Sequence, residues 1–395
     1  MRNPTQITLR TAAVLAAVVS TTLLGIAAAP VLAPQAAEVP LPSTLNSPKV
    51  YVFPMEGQMG TDISESLFKI LKEDVNKQQP DIIVFKLKSA DVNTNDYLKD
   101  DDANEFGILG EITAYREMVK GLREEFRKLP QVMWISDAVG VSSLYALAWP
   151  RMYMESDARL GGLNQFKEMV AAQWEDDDVR SKMIAAWTGI MKGMSELGGY
   201  PVELADSMIF AENKLSVNFE GRSAKWLGDT SGTWVVDSNE GACASFRAQL
   251  AEDSMLSDGT ADSLDDLMFL LGYREYVKIE TGEKLAKQFS EEWRKAMKSC
   301  FENLEEAQET EDSVVGLGKR KSLYEKTIAL LKRFPMIEKR RELAQRGVSL
   351  TALERAVDDI KKDIQRQRDA EKGGRQNGGG GGRGAGGGGA KGLGG

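Results

Sequence analysis

From residue 48 onward the chain alternates short apolar runs with longer amphipathic ones. Val50–Phe53, Ile82–Leu87 and Val132–Ile135 are almost wholly apolar, and helical spacing follows each, over Ile63–Val75, over Phe106–Phe126 and from Val141 to Trp149. Short continuous apolar runs read as strands covered on both faces, and a strand-then-helix order predicts an α/β domain with a mostly parallel sheet. Trp234–Asp237 reads as a further strand. Ligand and catalytic sites of such sheets gather at the carboxyl ends of the strands, where Ser142 and the loop 88–94 both fall.

The pattern changes beyond Glu283. From there to Lys372 the chain is charged and helical in composition, with basic groups at Lys319-Arg320-Lys321, Lys332-Arg333 and Lys339-Arg340-Arg341. Leu350, Leu353, Val357, Ile360 and Ile364 step by three and four, a seam of about two heptads that suits either a helical hairpin on the core or a dimer coiled coil. Thr351 and Glu354 are spaced as a capping box. Glycine dominates 373–395, which predicts a disordered tail. At the other end, Arg2 and Arg10 precede a small-residue apolar run, Thr11 to Ala29, with small residues at Val31-Leu32-Ala33 and Gln35-Ala36-Ala37. Residues 1–37 therefore read as an export signal, with an uncleaved membrane anchor as the alternative, and place the chain in the periplasm or cell envelope. The expected organisation is signal 1–37, linker 38–47, α/β domain 48–295, helical region 296–372 and tail 373–395.

Candidate chemistry centres on a serine. The run Ile135-Ser136-Asp137-Ala138-Val139-Gly140-Val141-Ser142-Ser143 places Ser142 where a strand gives way to a helix, and helix N-termini favour a developing oxyanion. The chain contains no histidine, so a serine nucleophile here needs lysine, a carboxylate or a terminal amine as its base. Lys182 lies forty residues on, and helical spacing surrounds it with Val179, Ala185, Ala186 and Gly189. A small apolar stripe predicts close packing, and desolvation lowers a lysine pKa from its usual value of about 10.4. Asp178, four residues before Lys182, opposes that shift if it turns inward. Lys192 on the same helix, near Thr188 and Glu196, serves as the polar control. Simpler readings are a capping serine and a lysine snorkelling over an apolar face.

These segments together resemble the ClpP/crotonase superfamily, most closely the NfeD-type Ser–Lys proteases related to signal peptide peptidase SppA. Val50-Tyr51-Val52-Phe53-Pro54-Met55-Glu56-Gly57 is similar to the opening strand and turn, and Asp81 to Leu87 to the second core strand. Ala138 to Leu147 resembles the nucleophile segment, and Leu160-Gly161-Gly162 a following glycine turn. Asp258 to Leu267, with Leu270-Leu271-Gly272, resembles the closing strand and helix. The resemblance spans about residues 48 to 295 and implies a repeated ββα-type core carrying the helical C-terminal extension. It implies an exported serine endopeptidase acting on protein or peptide segments near the membrane surface. Ser142 would be the nucleophile and Lys182 the general base. Ser143 would be an accessory hydroxyl, and the oxyanion hole would use main-chain N–H groups at Ser143, Ala90 and Asp91. It also implies a homo-oligomer that shields the site. Two positions differ from the family pattern: the loop Lys88 to Thr94 has no glycine pair, and Leu144 stands where a glycine follows the serine. Those differences support an alternative, a catalytically degenerate scaffold that binds envelope proteins.

Composition narrows the rest. The chain has 395 residues, 42% hydrophobic and 28% charged, which suffices for a full core. A net charge of −9 speaks against nucleic-acid partners. Without histidine no zinc site is expected, and Asp100-Asp101-Asp102 and Asp176-Asp177-Asp178 read as solvated loops or helix starts more readily than as a calcium site. No phosphate-binding loop appears, and no cofactor is expected. Cys243 and Cys300 are a disulfide candidate in an exported chain.

Overall fold

In a computed structural model, the described residues are 39–42, 47–89, 112–164, 174–221, 223–340, 343 and 346–377. The predicted signal, the predicted tail beyond residue 377 and the loop holding Ala90 and Asp91 lie outside them, while residues 373–377, expected in the tail, continue the last helix. The fold is mixed α/β. Strands β1 (Lys49–Glu56), β2 (Ile82–Ser89) and β3 (Gln131–Val139) lie side by side and parallel at the centre of a seven-stranded sheet. Their apolar runs are continuous because helices cover both faces. Beyond β3, its outer edge is shared by β4 (Met152–Met154) along its first half and β5 (Arg159–Gly161) near its end. A second, antiparallel sheet is built from β6 (Leu215–Glu220), β7 (Ser223–Leu227) and β8 (Trp234–Asp237). β9 (Phe246–Arg247) closes the main sheet antiparallel to β5, and β10 (Val277–Ile279) lies parallel to β1 at the opposite edge.

One face of the sheet carries Tyr51, Phe53, Met55, Ile83, Phe85, Leu87, Met133 and Ile135. It meets α1 (Glu65–Gln78) through Leu67, Phe68, Leu71 and Val75, and α2 (Ile112–Glu125) through Ile112, Tyr115, Val119 and Leu122. Both sets recur at three and four residues, which is why these segments are helices. The short α3 (Ser142–Leu147) is buried over its whole length against the same core. It is followed in the chain by α4 (Asp177–Leu197), α5 (Val202–Ile209) and α6 (Ala248–Asp253). The opposite face has a smaller core of Val50, Ile82, Val84, Val132 and Trp134 beneath Leu267 and Met268 of α7 (Leu264–Leu270).

Three long helices follow. α8 (Thr281–Gln308) packs on α1 and β1, α9 (Val314–Arg333) on α8, and α10 (Leu350–Asn377) on α9. The boundary expected at 295/296 thus falls inside one uninterrupted helix. α8 belongs to the main core through Phe289, Trp293 and Cys300. Asp62, on the turn after β1, anchors it: the carboxylate accepts from Ser290 Oγ (2.6 Å), Trp293 Nε1 (2.9 Å), Arg294 (3.1 Å) and the Gln58 N–H (3.1 Å). Leu353, Val357 and Ile360 of the sequence seam are buried, and α10 lies on α9 of its own chain as a helical hairpin. The expected capping box is not formed. Ser349 Oγ accepts from the Ala352 N–H at 3.1 Å, and Glu354 pairs with Lys332 instead.

Residues 39–42 are held against the domain. Leu41 packs on the smaller core, the Tyr273 hydroxyl donates to Pro42 O (3.1 Å), and Val39 lines a cavity with Gln131, Trp149 and Pro150 at the amino end of β3. Among the described residues, no helix is long and apolar enough to cross a membrane.

Candidate functional site

β3 ends at Val139, and Gly140 takes the chain round with φ +79°. Its N–H donates to Gly161 O (2.8 Å). The facing turn uses Gly162 at φ +77°, where a Cβ would stand 2.8 Å from Val139 Cγ1 and 2.9 Å from Gly140 N. Two turns this close require glycine in both. Arg159 clamps β5 to β3 by donating to both carboxylate oxygens of Asp137.

This frame sets Ser142 at the first position of α3. Its side chain is 0% exposed, and Oγ lies 2.7 Å from Ser89 O and 3.1 Å from Val139 O. A hydroxyl has one proton, and here carbonyl oxygens at the ends of β2 and β3 share it. Ser143 is equally enclosed. Its Oγ lies 2.8 Å from Ala138 O and 2.6 Å from Gly161 O while accepting the Gly161 N–H at 3.1 Å. The Ser143 N–H, expected to face an oxyanion, donates to Gly140 O (3.0 Å), and the Leu144 N–H to Val141 O (3.1 Å). The Gly140, Ser143 and Leu144 N–H groups are therefore used internally. The other expected contributors, Ala90 and Asp91, lie outside the described residues.

Lys182 is placed differently from the sequence expectation. It sits in the second turn of α4 with its side chain 73% exposed and its ammonium on Asp178. Val179, Ala185, Ala186 and Gly189 are exposed with it. The buried side of α4 is instead Trp187, Met191 and Met194. Burial gain scales with apolar area, about 25 cal/mol per Å2, so large side chains outweigh a stripe of alanine and glycine in orienting a helix. Lys192, the intended polar control, is the more enclosed of the two and pairs with Asp206 at 2.7 Å. The acidic run opens α4: Asp176 is the N-cap, accepting from the Asp178 and Val179 N–H groups. Among the described residues no amine hydrogen-bonds to Ser142.

The disulfide expectation is corrected as well: Cys243 and Cys300 are not joined in a disulfide. Cys300 lies on α8 in the core, where burial pushes its thiol up to about 11, while Cys243 sits half-buried in the loop before β9. Among the described residues no group of three or more acidic, cysteine or histidine side chains is placed to hold a metal ion.

A second feature, on the other face of the sheet, was not anticipated from the sequence. Lys86 and Lys88 alternate with Leu87, which points into the core beside α3, so both lysines face away from Ser142. They line a cleft of about 460 Å3 with Glu56, Ser136, Glu155 and, from α8, Lys287 and Ser290. The Lys86 ammonium stands 4.2 Å from the Trp134 ring and 3.4 Å from Glu155. The sequence signal was present in Phe85-Lys86-Leu87-Lys88, where a continuous apolar run turns into lysine at every second position. Comparison with family models and with curated proteins finds no match to this chain.

Proposed function

We propose that this chain is a ClpP/crotonase-like domain that has kept the nucleophile segment as architecture and serves as a scaffold for proteins of the cell envelope, bound through its C-terminal helices. One observation carries the reading: the Ser142 hydroxyl is spent on Ser89 O and Val139 O in a fully enclosed position. A serine nucleophile must lose its proton to a base and approach a carbonyl carbon. Neither condition is met by a hydroxyl facing two acceptors. The base fails for a separate reason. A general-base lysine needs its amine stripped of water, and the Lys182 side chain is exposed. The exposed faces of α9 and α10, rich in lysine, arginine and acidic residues, offer a surface for polar protein partners.

A fluorophosphonate probe applied to the purified protein tests this reading. The expected result is no covalent label at Ser142 at any pH where the protein remains folded. Labelling at Ser142 that is lost in Lys182→Ala overturns it in favour of a Ser–Lys endopeptidase.

One observation favours that second reading. The face of α4 that holds Lys182 is open and built of small residues, and a Cβ added at Gly189 meets nothing within 4 Å. A second copy of the chain lying there would take Lys182 out of water. In that case labelling grows with protein concentration as the oligomer forms.

A further inference from the structure

The outward face of α7 divides in two. Its first turn shows Asp265 and Asp266 to solvent, and its second shows Phe269 and Leu270, 67% and 46% exposed. We propose that this apolar end lies on the surface of a lipid bilayer, with Phe269, Leu270 and, from β10, Val277 reaching the boundary between headgroups and acyl chains.

Place is the first ground. The Ala261 N–H donates to Met154 O and the Val277 N–H to Pro48 O, so α7 runs from the end of β4 back to the start of β1. Its apolar turn therefore comes to the amino ends of the strands. Val277 is there too, opposite Lys49, and is 51% exposed. The segment 39–42 crosses the same end of the sheet. Val39 reaches the cavity beside Trp149, Leu41 packs on the smaller core, and Pro42 O accepts from Tyr273, three residues after Leu270.

The chain upstream is the second ground, and it names the occupant. No charged residue interrupts Thr11 to Ala29, the run that reads as an export signal or an anchor. Ala29 precedes Val39 by ten residues, a reach of at most about 35 Å. Whenever that run is in a bilayer, the amino end of the sheet is the part of the domain held nearest the lipid.

Side-chain chemistry is the third ground. Leu267, Met268 and Leu271 already cover the sheet, which leaves Phe269 and Leu270 facing outward. Single exposed apolar residues are ordinary, whereas large ones gathered at one end of a domain mark a contact surface. The charges at this end balance: Asp81 accepts the Lys49 N–H, Lys278 pairs with Glu283, and Arg274 adjoins Glu275. The contact is therefore apolar, set by the area buried and not by anionic lipid. This surface is separate from Ser142 and holds for a scaffold and for a peptidase alike.

The full chain is mixed with phosphatidylcholine vesicles and irradiated with a trifluoromethyl-phenyl diazirine dissolved in the bilayer, and mass spectrometry locates the inserted label. Val315, 82% exposed in the first turn of α9, is the internal control. Label in Thr11–Ala29 reports attachment by that run and is read separately from the α7 surface. Phe269 and Leu270 are expected to take label roughly tenfold above Val315, because a side chain of this size gains about tenfold in partition on entering hydrocarbon. Neither about 1 M salt nor added phosphatidylglycerol changes the ratio. The double variant Phe269→Ser, Leu270→Ser removes two exposed side chains and leaves the core intact, and labelling of Val277 then falls to the level of Val315. Equal labelling of Phe269 and Val315 in wild type overturns the proposal. So does label at Phe269 that fades as protein concentration rises, which assigns the surface to a second copy. Shielding of Phe269 from the reagent before vesicles are added also overturns it and assigns the surface to the linker 43–46.

Discussion

Replacing Ser142 by alanine separates a structural hydroxyl from a catalytic one through stability alone. The Oγ proton joins α3 to Ser89 O at 2.7 Å and Val139 O at 3.1 Å. A buried neutral hydrogen bond contributes about 0.5–1.5 kcal/mol net, and a carbonyl left unanswered adds to the loss, so Ser142→Ala is expected to destabilise by about 1–2 kcal/mol. Ser143→Ala removes a hydroxyl that meets two carbonyls and the Gly161 N–H, and its loss is set higher, at about 2–3 kcal/mol. Lys182→Ala deletes an exposed ion pair and should stay within about 0.5 kcal/mol of wild type. Urea denaturation followed by circular dichroism measures all three. With a slope of about 3 kcal/mol per molar, the midpoint of Ser142→Ala falls by roughly 0.5 M. An unchanged or raised midpoint for Ser142→Ala, with the slope constant, would refute the view that this hydroxyl is committed to the backbone.

Cys300 gives a pH prediction. Its folded-state thiol sits near 11 against an ordinary 9.0, so between those values the unfolded chain has released a proton that the folded chain keeps. Stability is then full below about pH 9 and falls with rising pH by about 1.4 kcal/mol per unit; Cys300→Ala, measured by urea denaturation across the window, should flatten this slope, and equal slopes count against it. Ser349→Ala removes the side-chain cap of α10 and is expected to lower stability by about 1 kcal/mol, while Thr351→Ala changes it by less than about 0.5 kcal/mol; the reverse order would restore the capping box expected from sequence. Asp62→Ala leaves the Trp293 indole N–H and the Gln58 N–H without their acceptor and should destabilise by about 3 kcal/mol. The partly solvated Arg294 contact adds little to that loss, and a midpoint equal to wild type would show that α8 is held by its apolar face alone.

The central strands were legible in the sequence because they are covered on both sides: Val50–Phe53, Ile82–Leu87 and Val132–Ile135 all lie within β1, β2 and β3. Met152–Met154 and Arg159–Gly161 were not, since three residues carry no readable period and their pairing depends on the far edge of β3. The hairpin of β6 and β7 was hidden for a related reason. Its strands are half exposed, and Asn218 and Lys225 interrupt the apolar positions. Helical spacing located α4 but not its orientation. Small residues around Lys182 looked like a packing surface, whereas Trp187, Met191 and Met194 one face away had more area to bury. At the candidate site, sequence fixes where Ser142 lies along the chain. It says nothing of which way a hydroxyl turns, and that depends on Ser89 O, fifty-three residues away. Lys86 and Lys88 were visible as an alternation, yet only the pairing with β3 shows that they line one cleft with Ser136.

The clamp on residues 39–42 gives the molecule a polarity. Val39 lies at the amino ends of the strands, and β1 carries the chain from there through eight residues to Glu56, a rise of about 25 Å. A leash attached upstream of Val39 therefore grips the base of the sheet. Were the protein moored by that leash to a lipid surface, the lysine-lined mouth would open outward, toward whatever diffuses past, instead of toward the surface holding it.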